Sequence, residues 1–232
     1  MPESLIELTS VSKIYKQGAV EVTAVSDVDL SFARGDFAVL AGPSGSGKTT
    51  LLNLIGALDT PSRGTIRLEG RELANLKGRE LAELRLRKMG FVFQAYNLIP
   101  VLTAYENVEY VLILQGVAAA ERRRRVDATL AAVGLADLAR RRPAELSGGQ
   151  QQRVAVARAI AGEPSLVLAD EPTANLDSKT GTELIDMMHR LNREQGVTFL
   201  FSSHDPKVID RAERLVSLED GRVVDAGSRD AA

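Results

Sequence analysis

The sequence predicts an α/β fold: a parallel α/β core, an antiparallel β subdomain ahead of it, and an α-helical subdomain inserted within it. Three observations carry this reading. Residues 5–11 (Leu5, Glu7, Thr9, Val11) and 22–33 alternate in hydropathy, as half-buried antiparallel strands do, with turns near Gly18 and at 34–36. Residues 37–42, 164–172 and 197–204 are instead apolar on both faces, which fits strands covered on both sides in a parallel sheet. Between a short strand at 90–94 and the strand opening near Ser165, residues 103–138 take mostly helical spacing and are rich in Ala and Arg.

Taken in order, the first buried strand runs into a glycine-rich turn and a helix over 47–58. Residues 64–73 return to alternation around a turn at Glu69 and Gly70, and 76–88 read as helix before the strand at 90–94. A serine followed by two glycines, Ser147, Gly148 and Gly149, opens another helix, and 214–227 form a closing hairpin with its turn at Asp220 and Gly221. No repeat, low-complexity tract or linker divides the chain. Residues 1–232 are therefore expected to be one domain, with the core and β subdomain over 1–94 and 164–232 and the helical subdomain over about 95–163.

Composition narrows the function classes. A chain of 232 residues, 44% hydrophobic and 26% charged, is ordinary for a globular protein. Its formal net charge of −2 gives no global pull toward nucleic acid or an acidic membrane surface, so no nucleic-acid partner is expected. The run at 121–125 and the arginines at 140–142 read as a solvated helix face. Without cysteine there is no disulfide or thiolate metal site, and two histidines are too few for a typical zinc centre. The start, MPESLIELTS, lacks the basic and apolar regions of a secretory signal. No apolar run approaches the ~20 residues of a spanning helix; the most tempting, VAVARAIAG, is interrupted by Arg158. A soluble, cytoplasmic chain is expected.

Gly42, Pro43, Ser44, Gly45, Ser46, Gly47, Lys48 and Thr49 match G-x-x-x-x-G-K-[ST] in full, with Thr50 following. Glycines let successive N–H groups curl around a phosphate, and the helix that follows adds its positive end. Lys48 is expected to reach the β- and γ-phosphates and Thr49 to ligate Mg²⁺. The apolar strand ending in Asp170 and Glu171 puts two carboxylates at the carboxyl edge of the sheet, beside that loop. Asp170 is assigned to Mg²⁺ and Glu171 to polarising the attacking water. Together these residues point to ATP binding and hydrolysis with Mg²⁺.

The second turn, LSGGQ over 146–150 followed by QQRVAVARAI, resembles the signature of ATP-binding cassette (ABC) ATPases, a branch of the P-loop NTPases. Gln94 matches the family's Q-loop, Asn175 to Asp177 its D-loop, and His204 its switch histidine, while Tyr15 stands where the family places an aromatic residue that stacks on adenine. The landmarks occur in the family's order over essentially the whole chain. The resemblance implies that two copies pack head to tail, and that Ser147, Gly148, Gly149 and Gln150 of each cap the ATP held by the other's loop, with Asp177 also at the nucleotide. It further implies roles for His204 at the γ-phosphate and for Gln94 in catalysis and at Mg²⁺. ATP binding would close the dimer and hydrolysis reopen it.

Within the family, the stretches TTLLNLIGALDTPSRGTI and GFVFQAYNLIPVLTAYENV resemble the group of lipoprotein-release (LolD), macrolide-export (MacB) and cell-division (FtsE) ATPases. This implies the motor subunit of a membrane transporter, held peripherally on the inner face of the membrane by a permease. The permease would dock in a groove near Gln94 to Tyr105, shaped by Tyr96, Leu98, Ile99 and Pro100. The alternatives are a soluble ABC ATPase of the translation or DNA-repair type and a small-molecule kinase. A single cassette with no heptad run argues against the first, and LSGGQ against the second. Where LolD-type members often carry a histidine or phenylalanine after Gln94, this chain has Ala95 and Tyr96.

Overall fold

The computed structural model describes residues 4–18 and 20–228. Met1 to Glu3, where the reading for a leader begins, and the outer ends of the span 1–232 lie outside the described residues. The chain opens on β1 (Ser4–Gln17) and β2 (Val20–Ala33), then β3 (Phe37–Ala41), α1 (Lys48–Ile55), β4 (Arg63–Leu68), β5 (Arg71–Glu72), α2 (Gly78–Lys88) and β6 (Met89–Val92). Helices α3 (Ala104–Leu114), α4 (Ala119–Ala132) and α5 (Gly148–Ile160) come next. The remainder is β7 (Leu166–Ala169), α6 (Ser178–Gln195), β8 (Thr198–Ser203), α7 (Pro206–Ile209), β9 (Arg214–Glu219) and β10 (Arg222–Ser228).

Two sheets result. The alternating segments form an antiparallel sheet in the order β2-β1-β4-β5, and the apolar runs form a six-stranded sheet in the order β10-β9-β3-β8-β7-β6. In the second sheet β9, β3, β8, β7 and β6 run parallel and only β10 is antiparallel. Every residue of β3, β7 and β8 is buried, as their two-sided apolarity requires. Side-chain alternation along β3 sends Phe37 and Val39 to a core shared with α3–α6, and Ala38 and Leu40 to a core shared with α1 and the antiparallel sheet.

The structure corrects several sequence boundaries. Burial along β1 departs from strict alternation, Leu5 and Ile6 both being buried. Ser10 takes a left-handed backbone (φ 48°) and the register shifts between Leu8 and Val11, so Ile6, Leu8 and Val11 are buried while Thr9 is exposed. A bulge moves the side chains beyond it to the other face, which strict alternation cannot register. The parallel strands are shorter than their apolar runs, because the carboxyl-terminal residues leave the ladder: Phe93, Gln94, Asp170, Glu171 and His204 stand beyond the strand ends. The helical segment 103–138 is two helices, broken at Gly116 (φ 76°). His189 is half-buried, its ring 4.9 Å from that of Phe37 and its Nε2 2.9 Å from Glu213. The basic run does carry its own counter-charges: Arg124 and Arg125 pair with Glu121, and Arg122 with Glu109.

Candidate nucleotide site and the second turn

The carboxyl ends of β3, β7 and β8 meet at one place, and the turn 42–47 crosses above them into α1. Gly42 (φ 151°) and Gly47 (φ 101°) allow the crossing: a Cβ on Gly42 would lie 2.2 Å from the Leu218 carbonyl, and one on Gly47 2.4 Å from that of Ala24. The turn borders a cleft of about 550 Å³ lined by Pro43, Ser44, Gly45, Gly47, Lys48, Thr49 and Thr50, together with Ala24, Gln94, Glu171, Ala174 and His204. Gly42 and Ser46, both assigned to the ligand from the motif, back the loop rather than line the cleft. Ser46 is buried, and its hydroxyl has no hydrogen-bond partner among the described residues.

Lys48 is buried at the first position of α1, and its ammonium donates to the Gly42 and Pro43 carbonyls at 2.8 and 3.0 Å, 3.9 Å from Glu171. Thr49 Oγ1 donates to Asp170 Oδ1 at 3.0 Å. Ser202, buried in β8, donates its hydroxyl to the same Asp170 oxygen at 2.7 Å and accepts the Glu171 N–H at 2.8 Å. One side chain from the neighbouring strand thus holds the Asp170 carboxylate and the Glu171 backbone, with Glu171 in a left-handed conformation (φ 46°) that a non-glycine residue holds only under restraint. His204 Nδ1 lies 3.0 and 3.1 Å from the two Glu171 oxygens. Loop lysine, hydroxyl, two carboxylates and histidine lie together in the structure; Ser202, which joins the two acids, gave no signal beyond its register before His204.

The donor set suits a hard dication. Among the described residues no three His, Cys, Asp or Glu side chains gather as a metal cluster. Thr49 and Asp170 in contact, with Gln94 on the same cleft, is the sparse protein contribution that Mg²⁺ accepts when phosphates and waters supply the rest. Tyr15 is not among the residues lining the cleft. Its hydroxyl donates to Asp59 at 2.8 Å and Lys13 Nζ lies 4.9 Å from its ring centroid, leaving it 36% exposed; burial, then the bond to Asp59, raises its pKa.

The signature turn lies elsewhere. Ser147 caps α5, accepting the Gln150 N–H at 3.3 Å while Gln150 Oε1 accepts the Ser147 N–H at 2.9 Å. Gly148 lies under the Tyr96 hydroxyl, 2.9 Å from where a Cβ would be, and Gly149 against Thr180 at 2.5 Å. Asp177 caps α6, accepting from the Lys179 and Thr180 N–H groups, each at 3.0 Å, and from the Thr180 hydroxyl at 2.6 Å; the Thr180 hydroxyl first, then its N–H, lowers the Asp177 pKa. None of Ser147, Gly148, Gly149, Gln150 or Asp177 borders the cleft of the first turn.

A separate apolar cleft of about 370 Å³ lies beside β6, lined by Leu58, Arg85, Leu86, Met89, Phe91, Phe93, Asn97, Val111 and Arg158 among others. Of the groove residues read from sequence, Tyr96, Leu98, Ile99 and Pro100 are not among its lining, and Leu98 packs on the helical core instead. The reason is the left-handed backbone at Tyr96 (φ 60°) and Asn97 (φ 50°), which turns the chain back over α5. No helix among the described residues is long and apolar enough to cross a membrane.

Comparison with known proteins agrees with this geometry. The family model described as ABC transporter matches residues 25–174. An uncharacterised ABC transporter ATP-binding protein of Thermotoga maritima is 48% identical over 95% of this chain and 94% of its own length. The lipoprotein-releasing system ATP-binding protein LolD of Anaeromyxobacter dehalogenans is 47% identical over 96% and 93%. The macrolide export ATP-binding/permease protein MacB of Syntrophobacter fumaroxidans is 46% identical over 94% of this chain, which spans 31% of that longer protein. Among solved structures, a dimeric post-hydrolysis state of the ATP-binding cassette MJ0796 bound to ADP and phosphate superposes with a TM-score of 0.89 at 42% identity, covering 98% of this chain and all of the other. With a family match over most of its length and relatives close to half identical along nearly all of it, the chain belongs to the ABC transporter family as its ATP-binding, ATP-hydrolysing subunit.

Proposed function

We propose that two copies of this chain pack head to tail, each closing its first turn over ATP with the second turn of the other, and that the closure and reopening drive a membrane permease. The observation that carries this reading is the separation just described. Ser147, Gly148 and Gly149 present a capped helix N-terminus suited to an anion, yet none borders the chain's own cleft. MJ0796, similar to this chain over nearly its full length, has been solved as a dimer.

Within each composite site Lys48 would neutralise the β- and γ-phosphates, and Ser147 and Gly149 of the second copy would meet the γ-phosphate. Tyr15 would stack on adenine with its exposed ring surface. Thr49 and Asp170 would hold Mg²⁺, with Gln94 reaching the same ion; when bound, the ion withdraws negative charge from the phosphate oxygens. Glu171 would take a proton from the attacking water, and His204, in contact with that carboxylate, would orient it and touch the γ-phosphate. The helical subdomain, about 95–163, would rotate with the signature turn. A permease would dock in the apolar cleft beside β6, holding the chain at the inner face of the membrane; the name of the MacB relative joins an ATP-binding part to a permease in that protein.

The test is the concentration dependence of hydrolysis. Specific activity should rise with protein concentration before levelling off, because each site needs two chains. Constant specific activity down to dilutions at which the chain is monomeric overturns the proposal.

A further inference from the structure

The backbone around Gln94 is held by side chains from elsewhere. The Phe93 carbonyl accepts from Gln152 Nε2 at 3.4 Å, and that of Gln94 accepts from Asn175 Nδ2 at 2.9 Å. The Tyr96 carbonyl accepts from Arg158 Nη2 at 2.9 Å, and the Asn97 carbonyl from Arg158 Nη1 in a short bond. Gln152 and Arg158 both belong to α5, the helix that the signature turn opens. Gln152 is fully buried, and its Nε2 also donates to the Pro172 carbonyl at 2.8 Å, one residue beyond Glu171.

Arg158 has no carboxylate partner among the described residues, and desolvation alone lowers its pKa. A half-buried guanidinium without a counter-ion is costly unless its donors are used, and here they are used on two carbonyls in one fork. Those carbonyls belong to Tyr96 and Asn97, whose left-handed backbones need outside restraint. The Tyr96 ring then reaches back over Gly148 at the other end of α5.

We propose that Arg158 and Gln152 are positioning residues that fasten the backbone on both sides of Gln94 to the signature helix. A nucleotide engaged at the signature turn of one site and the glutamine serving the other site then move as one body. The inference rests on the proposed contact of the signature turn with the second copy's ATP.

Hydrogen–deuterium exchange tests it in the Glu171→Gln chain, which retains ATP. Adding Mg-ATP should slow exchange at 42–50 and, by 10-fold or more, at 93–97. Adding Arg158→Met, which keeps the buried stem and removes the donors, should leave protection at 42–50 and abolish it at 93–97. Arg158→Lys, able to serve one carbonyl, should fall between. Undiminished protection of 93–97 in Arg158→Met overturns the proposal. A second measurement separates positioning from fold maintenance. In a double-mutant cycle of ATPase rates with otherwise wild-type chains, Arg158→Met should cost 10-fold or more alone and less than 2-fold once Gln94 is replaced by alanine. Multiplying effects would make Arg158 purely structural and also overturn it. If the parent Glu171→Gln chain binds ATP yet stays monomeric, the trans reading fails, while the clamp is still scored by the cycle.

Discussion

At 42–50 a glycine-rich turn runs into a helix above the ends of β3, β7 and β8; at 147–150 a serine and two glycines run into a helix on an exposed face. Locally the two are close kin: small residues, a hydroxyl, a helix N-terminus. They differ in what the rest of the chain brings to them. Around the first, residues far apart in sequence converge, with Thr49 on Asp170, Ser202 on Asp170 and Glu171, and His204 on Glu171. Around the second, the contacts are its own capping box and the packing of Tyr96 and Thr180 on its glycines. A turn that can hold an anion becomes a catalytic site only where long-range folding adds acids and a base, and the second turn has its ligand chemistry without that completion.

This comparison can be broken at either turn. The largest effect belongs to Glu171→Gln, which keeps size and removes the base. General-base assistance is worth on the order of 10²–10⁴-fold, so steady-state ATPase should fall by at least ~100-fold while ATP affinity, read with a fluorescent ATP analogue, is retained or improved. Lys48→Ala should instead lose ATP binding, since it strips a buried cation from the loop. A Glu171→Gln chain that hydrolyses at near the parent rate would move the base elsewhere.

A smaller loss sharpens the account of the first turn. Ser202→Ala removes one hydroxyl from the Asp170 carboxylate and the Glu171 N–H; a cost of about 1–3 kcal/mol translates to a roughly 5-fold or greater fall in turnover if it is felt in the transition state. Unchanged kcat would show that Ser202 does not set the carboxylates. Next comes the groove: Leu58→Arg places a charge on the rim of the apolar cleft beside β6, where Leu58 is 49% exposed. Permease-stimulated ATPase relative to basal should drop severalfold in reconstituted vesicles, and full stimulation would relocate the docking surface.

The smallest effect concerns stability. Burial alone would raise the Glu69 pKa, but hydrogen bonds from Ser165, Arg34 and Lys88 outweigh it and hold the carboxyl at about 2, against 4.5 for an ordinary glutamate. Because the folded value is the lower one, this contribution is present above about 4.5 and is lost as pH falls toward about 2. Glu69→Gln should therefore cost about 1–2 kcal/mol in urea denaturation at neutral pH and progressively less between pH 4.5 and 2. A pH-independent difference would contradict the assignment.

How far the sequence carried differs between the same regions. Carboxylates closing an apolar strand, and a glycine loop opening a helix, sit at the carboxyl edge of any such sheet, so Thr49, Asp170 and Glu171 could be brought together on paper. Ser202 could not, because a serine inside an apolar strand looks the same whether it fills space or fixes two acids. Arg158 registered only as an interruption of an apolar run, since its partners are backbone carbonyls with no sequence signature. The bulge at Ser10 and the left-handed Tyr96 and Asn97 are backbone events at residues that do not demand them, which is why neither the break in alternation along β1 nor the path of the chain after Gln94 was legible. That the second turn serves another molecule was implied by the family resemblance, and spacing within one chain carries no such information.

The central claim is that the two turns meet in trans, and the most direct test is the size of the chain with Mg-ATP in two variants. Glu171→Gln should run as a dimer with ATP and as a monomer without it by size-exclusion chromatography with light scattering. Adding Ser147→Arg, which blocks the signature turn far from the chain's own cleft, should leave ATP bound to each chain and abolish the dimer. A Glu171→Gln, Ser147→Arg chain that still dimerises with ATP, or one that loses ATP binding as a monomer, would contradict the account.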